Sequence, residues 1–481
     1  MRMPAKIVYS VIAASISIAG GVLRNKIFAA FLSVNLFGIL SIGQQSVSLL
    51  FTLFAFGLPL GITTYAAQLL NQSDEGRRQA VSRIVILSVM LASCFGALLA
   101  FPLLLDPQYV SHAVTNESEY ATAVVIILLS SPLMLIEICL FSIMEGMGRL
   151  RDIVIFRMVP VAVVLPILYV LVSTQHLIGA AIGLVVHEVA LIVTGFFLLR
   201  KMLVLRRDSL RIASVFNEVF RVAVLSFIVG SSWLAVDFLV KRSFLATFGE
   251  VSNGIIQSVA KIADMYPTIA LSWLTVHLFP VIATSLDDRD GALRAVERTS
   301  LVAVSMIVPI ILFLFTFRGF VLEVLYKREF VLAVGYFGAM LTTGIPKVYS
   351  WVVGTALLPL GLRRQWLTAS LFLILLYATL VPLGVVMGFE IYAIPVGLGV
   401  GQVLQAVYVV ARMQSKGYRF SRTFWIQTAV YALLAVIFVG ALFQPTLLIV
   451  ATLLYIMFIY KFNLLNEIRH KLIDLGKKVL E

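Results

Sequence analysis

Charge is scarce in this chain: Asp, Glu, Lys and Arg make up only 13% of its 481 residues, about half the share usual in soluble proteins. No segment between the apolar runs is long enough to fold around a core of its own, which argues against a separate soluble domain. Cysteine is nearly missing as well. Cys94 and Cys139 each lie inside an apolar run without ligand spacing, so neither a disulfide framework nor a metal site is expected. Nothing suggests a cofactor. No acidic residue lies between Lys6 and Leu32, although Arg24 and Lys26 do.

What is present is hydrophobic: 61% of the residues are apolar and the mean hydropathy is +1.03. A helix needs about 20 apolar residues to cross a bilayer. Such runs fall near 7–32, 36–67, 84–105, 122–145, 153–172, 177–199, 219–240, 254–282, 300–317, 330–358, 366–388, 391–413, 424–443 and 446–462. The expectation is an all-α polytopic membrane protein of about 14 transmembrane helices. Arg2 and Lys6 precede the first run in the manner of a signal peptide. That run leads straight into the second, so it reads as an uncleaved first helix.

The formal charge of +13 invites a nucleic-acid partner, but the bases sit in short loops between spans. Counting bases at the span ends with their loops, 27 Lys and Arg fall on the side of both termini, five on the other side and five within spans. That asymmetry is the positive-inside pattern. Both termini are expected in the cytoplasm, with the chain in the plasma or inner membrane. Membrane lipids rather than nucleic acid are the expected partners of the basic surface. The longest basic connection, Arg200 to Arg221, alternates bases with apolar residues. An amphipathic surface helix and a plain solvated linker both fit it.

The linker separates the first six spans from the next six. RNKIFAAFLSVNLFGILS (Arg24–Ser41) aligns with KRSFLATFGEVSNGIIQS (Lys241–Ser258) across it, matching Val34, Gly38, Ile39 and Ser41 to Val251, Gly254 or its neighbour, Ile255 and Ser258. Parallel repeats of this kind form transporters with a site at the repeat interface. The expected division is a six-helix lobe over 1–200, a basic linker over 201–218 and a second six-helix lobe over 219–413. Two extra helices and a tail over 414–481 complete it.

RNKIFAAFL at 24–32, FGILS at 37–41, the polar run Gln44-Gln45-Ser46 and LFAFGLPLGITTYAA at 53–67 together resemble the opening of Wzx-type oligosaccharide flippases. These belong to the superfamily that also holds the MATE multidrug antiporters and the lipid II flippase. The motif covers the first seventy residues; later spans match in hydropathy more than in letters. The resemblance implies a MATE-like fold of two six-helix lobes, a central cavity and alternating access. It also implies a cargo of undecaprenyl-diphosphate-linked oligosaccharide, with polysaccharide polymerase machinery as a partner.

Polar residues inside spans mark candidate sites, because burying charge in lipid is costly. Arg24 either faces a cavity, where it would bind diphosphate, or ends the first span and snorkels to the outer headgroups with Lys26. Lys347 lies mid-span after a Gly-x-Pro break, a feature common at transporter sites. Pairing with Glu137 or Glu188 is its structural alternative. Lys261 and Asp264 stand at i, i+3 and suit a mutual ion pair. Gln44 and Gln45 are candidates for sugar hydroxyls. Glu137, Glu188 beside His187, Asp237 and Asp264 are candidate proton carriers or pairing partners, and Arg157 is expected to snorkel to the cytoplasmic interface.

A flippase moving a lipid-linked oligosaccharide from the inner to the outer leaflet fits these features best. A cation-coupled drug antiporter on the same fold is the alternative, disfavoured by bases in the first span. A membrane enzyme would need outside loops larger than these short turns. A channel would need a filter motif, and none is visible.

Overall fold

The computed structural model describes residues 3–69, 73–204, 213–284, 289–357 and 360–462. Among these the regular structure is helical, without a strand. Contacts divide the chain into two compact units, Met1–Gly254 and Ile255–Glu481. Nine helices among the described residues are long and apolar enough to cross a bilayer. Large apolar side chains such as Phe101, Leu104, Val386 and Val436 stand exposed on them, as expected where lipid rather than water is the solvent.

The first unit comprises α1 (Met3–Phe31), α2 (Val34–Ala55), α3 (Leu58–Gln68), α4 (Asp74–Leu105), α5 (Pro107–Thr115), α6 (Ala121–Gly146), α7 (Leu150–Leu199) and the opening of α8 (Ala213–Thr284). The run read as one span over 36–67 is a broken helix. Phe56 and Gly57 both take positive φ (45° and 71°) between α2 and α3. α7 runs through two predicted spans, and its one non-helical residue is His176 (φ 48°). α8 is interrupted at Gly249 (φ 79°) in the same way.

α6 is the centre of this unit and packs against α2, α3, α4, α5 and α7. Pro132 sits inside it and frees the carbonyl of Leu128. The Ser131 hydroxyl donates to that carbonyl at 2.7 Å, so a proline is tolerated at membrane depth. Close packing at the end of α6 needs Gly146. A Cβ there would lie 2.3 Å from the Thr63 carbonyl oxygen and 2.7 Å from Ala66 Cβ. Backbone cannot give way as a side chain can, so Gly146→Ala is expected to destabilise by about 1–3 kcal/mol. Thermal unfolding of the purified variant would read this as a lowered Tm; an unchanged Tm would mean that α3 can slide.

Two further observations bear on the sequence reading. Gly38 of α2 lies against Gly254, with a Cβ at Gly38 falling 2.9 Å from the Gly254 nitrogen. The two copies of the aligned motif thus meet at their smallest residues. In the 201–218 linker, residues 205–212 lie outside the described residues, as does the tail beyond 462. The described part begins with a 3-10 turn, Arg200–Met202, and the Val204 amide donates to Ser82 Oγ at 2.8 Å.

The second unit holds the remainder of α8, α9 (Arg289–Thr316), α10 (Arg318–Leu325), α11 (Val334–Thr342), α12 (Gly344–Ala356), α13 (Arg363–Val386), α14 (Ala393–Ser415), α15 (Arg422–Gly440) and α16 (Leu447–Lys461). α12 is packed between α9 and α14. The Gly344-Ile-Pro346 sequence starts α12 directly after α11, and Gly344 leaves room for Tyr266: a Cβ there would be 2.5 Å from its hydroxyl. Glu297 of α9 accepts from the Ser421 amide (2.7 Å) and hydroxyl (2.9 Å), fixing the N-terminus of α15.

Candidate functional site

The first polar cluster at membrane depth lies in the first unit, where α1 packs against α7. Gly20 of α1 meets Val161, a Cβ there lying 2.6 Å from Val161 Cγ2. Close backbone approach with small side chains leaves a cavity of about 170 Å3 lined by Ser17, Gly20, Gly21, Arg24, Arg157 and His187, among others. α1 continues to Phe31, so the first span does not end near Leu23. Of the two bases, Arg24 lines the cavity and Lys26 is exposed. Arg24 Nε is buried and has no hydrogen-bond partner.

Four charged side chains gather there. Arg157 Nη1 donates to Glu137 Oε1 at 3.2 Å, and Glu137 is only 4% exposed. The guanidinium also lies 4.5 Å over the Phe141 ring and 5.5 Å from that of Phe156. Arg157 therefore does not snorkel; a buried acid and two aromatic faces hold it inside the unit. Glu188 completes the group, within electrostatic reach of Arg24, Arg157 and Glu137. Its Oε2 is buried without a hydrogen-bond partner. Two cations and two acids make the cluster nominally neutral, yet Arg24 Nε and Glu188 Oε2 are left unfilled. Buried polar groups are normally satisfied, so this pair of gaps marks a place where a partner can be gained.

A second cluster joins α2 to α8. Asp237 Oδ2 accepts from Lys241 Nζ at 2.8 Å, one turn on, and from Gln45 Nε2 at 2.5 Å. Gln44 is half-buried beside it. Lys241 lies between the expected spans 219–240 and 254–282, yet it is part of α8 and its side chain is only 12% exposed. Arg242 next to it donates to the carbonyl of Ala113 at the end of α5, where a cation suits the helix dipole.

The third cluster lies in the second unit. Lys347 Nζ donates to Asp264 Oδ1 at 2.6 Å, with side-chain exposures of 31% and 69%. The partner of Lys347 is therefore neither Glu137 nor Glu188. Lys261 is half-buried one turn before Asp264. The Lys347–Asp264 pair is partly open, unlike the Arg157–Glu137 pair, so its lysine can change partners at lower cost. Gln405 donates to the Ala369 carbonyl at 3.2 Å, gluing α14 to α13.

Known proteins are similar to this chain in sequence family and in fold. The family model described as polysaccharide biosynthesis protein matches residues 5–286. No curated protein sequence matches the chain. Among solved structures, an inward-facing multidrug resistance MATE family transporter of the MOP superfamily aligns with a TM-score of 0.69 at 14% identity. It covers 85% of this chain and 98% of that one. The lipid II flippase MurJ in its inward closed conformation aligns at 0.69 and 13%, over 95% and 100%. A MOP superfamily transporter from Pyrococcus furiosus, described as having reversed polarity of its binding pocket, aligns at 0.63 and 15%, over 87% and 97%. The fold is thus that of MOP superfamily transporters. The family model spans more than half of the chain, and the protein belongs to the polysaccharide biosynthesis protein family.

Proposed function

We propose that the protein is a flippase that carries a polyprenyl-diphosphate-linked oligosaccharide from the inner to the outer leaflet by alternating access, for surface polysaccharide assembly. The observation that carries this reading is Arg24, a guanidinium at membrane depth whose Nε is buried without a partner beside an open cavity. A guanidinium fork suits phosphate oxygens geometrically and electrostatically. Arg24 in the first unit and Lys347 in the second are the two candidate binders of the anionic head. Lys26, which is exposed, and Lys261 add positive potential, while Gln44 and Gln45 offer amides to sugar hydroxyls. The division into lobes at 1–200 and 219–413 belongs to the same proposal.

Acids beside these cations make the empty protein cheap to keep in lipid, since paired charges cost less than single ones. Arrival of a diphosphate draws Lys347 from Asp264 and competes with Glu188 for Arg24. The acids left behind by such an exchange, Glu188 and Asp264, are the candidate sites for a coupled proton. Glu137 and Asp237, each tied to a base, are the slower candidates for the same role.

The deciding experiment uses a strain lacking the protein. A polyprenyl-diphosphate oligosaccharide is expected to accumulate in the inner leaflet while surface glycan is lost, and the intact gene restores export. An unaffected glycan with raised sensitivity to cationic compounds would transfer the assignment to a drug antiporter. Arg24→Gln separates site from scaffold. It removes a buried charge that lacks a full set of partners, so Tm should hold or rise, while export falls about tenfold, the effect of roughly one charged hydrogen bond. Unchanged export would take Arg24 out of the site.

A further inference from the structure

One cavity of the second unit has no part in the transport proposal. It lies between α14 and α15 over a floor of α11 and α12, and its wide chamber measures about 890 Å3. Gly399, Val400 and Val403 form one wall, with Ala435, Val436 and Val439 opposite. A second chamber of about 230 Å3 lies against Gln414 and Trp425, and both chambers are lined by Pro346, Val403 and Ala435. These walls belong to helices of bilayer-spanning length, where the solvent is hydrocarbon. Lipid is what fills an apolar groove there.

The wide end carries one charge of each sign. Arg318, at the start of α10, donates from Nη1 to the Phe315 carbonyl at 3.0 Å and lies 4.8 Å over the Phe315 ring. These contacts fix the guanidinium and leave Nε and Nη2 for another acceptor. Glu390 lines the same end and is exposed. Its φ of 49° is a left-handed backbone that non-glycine residues adopt only where the surroundings impose it. No ion pair joins Arg318 to Glu390. A phosphate suits the first and an ammonium the second, and a phosphoethanolamine headgroup bears both.

We propose that this cavity is a resident site for a zwitterionic, amine-bearing glycerophospholipid. Its phosphate lies on Arg318, its ammonium at Glu390, and its acyl chains run between α14 and α15. The two adjoining chambers suit the chains of a lipid rooted at Arg318, which lies in the outer half by the charge bias of the loops. A polyprenyl phosphate would bring a phosphate for Arg318 but no ammonium for Glu390. An anionic headgroup would meet Glu390 without compensation.

Thermal unfolding and native mass spectrometry of the detergent-purified protein test this. Dioleoyl phosphatidylethanolamine is expected to stay bound and to raise Tm by about 2–5 °C at saturation. Dioleoyl phosphatidylglycerol and undecaprenyl phosphate should raise it by less than half as much. Glu390→Gln should abolish the preference for the amine-bearing lipid, and Arg318→Gln should weaken both phospholipids at least fivefold. Val403 lines both chambers and is 48% exposed, so Val403→Phe can fill part of the groove without disturbing the core and should also lower retention. Equal shifts from all three lipids in the wild type would overturn the proposal, as would undiminished retention in both Arg318→Gln and Val403→Phe. A preference for undecaprenyl phosphate would overturn it too, giving the groove to the carrier. No readout involves export, so failure here would leave the flippase proposal standing.

Discussion

Alanine at Lys347 is expected to abolish export with normal membrane insertion, and arginine to restore part of it. The lysine sits behind the Gly344–Pro346 sequence that starts α12, and its one named partner, Asp264, is 69% exposed. Loss of so open a pair costs little stability. A charge-assisted hydrogen bond to a diphosphate is a different matter, worth about 1.5–3 kcal/mol or about 10–100-fold in transport. Glycan export, normalised to inserted protein, measures it. Asp264→Asn combined with Lys347→Ala separates two roles. A lysine needed only to neutralise Asp264 would let the double variant recover export, whereas a lysine that holds cargo would leave it inactive. Full activity of the single alanine variant would remove Lys347 from the site.

Cutting the Arg157–Glu137 pair should produce the largest loss of stability. Glu137 is 4% exposed, and Arg157 also rests on Phe141 and Phe156. Removing either partner alone strands a charge in the interior and costs about 3–5 kcal/mol. Glu137→Leu or Arg157→Leu should therefore lower Tm sharply or prevent recovery of folded protein. The double Leu variant should regain most of the loss, since a packed apolar pair can equal a buried ion pair. A double variant no better than the singles would mean that each residue acts through other contacts.

Much of the helical plan was legible because spans announce themselves by length and hydropathy. The breaks were legible only in part. Gly57-Leu58-Pro59 signals a bend, and the structure puts it at Phe56–Gly57. Arg24 and Lys26 stand two residues apart, so helical geometry alone turns them to nearly opposite faces. The partners did not follow. Nothing in the spacing of Asp237 points to Gln45, and Lys347 meets Asp264 across 83 residues. Helices α8 and α12 must first be packed before that pair exists. Arg157 was missed although a signal was present. It and Glu137 both lie about ten residues from the turn at Gly148, so an antiparallel hairpin puts them at one depth, about 15 Å in. Arg318 and Glu390 carried no signal at all, because each looks like an ordinary loop charge.

The same hairpin bears on how the chain is made. Glu137 leaves the ribosome twenty residues before Arg157. α6 on its own would have to enter lipid carrying an uncompensated carboxyl group, at a cost of a few kcal/mol. Holding it in the translocon until the first arm of α7 emerges lets acid and base enter as one neutral unit. Integration of α6 should accordingly wait for α7. A nascent chain stopped between Gly148 and Arg157 should leave α6 accessible from the aqueous side.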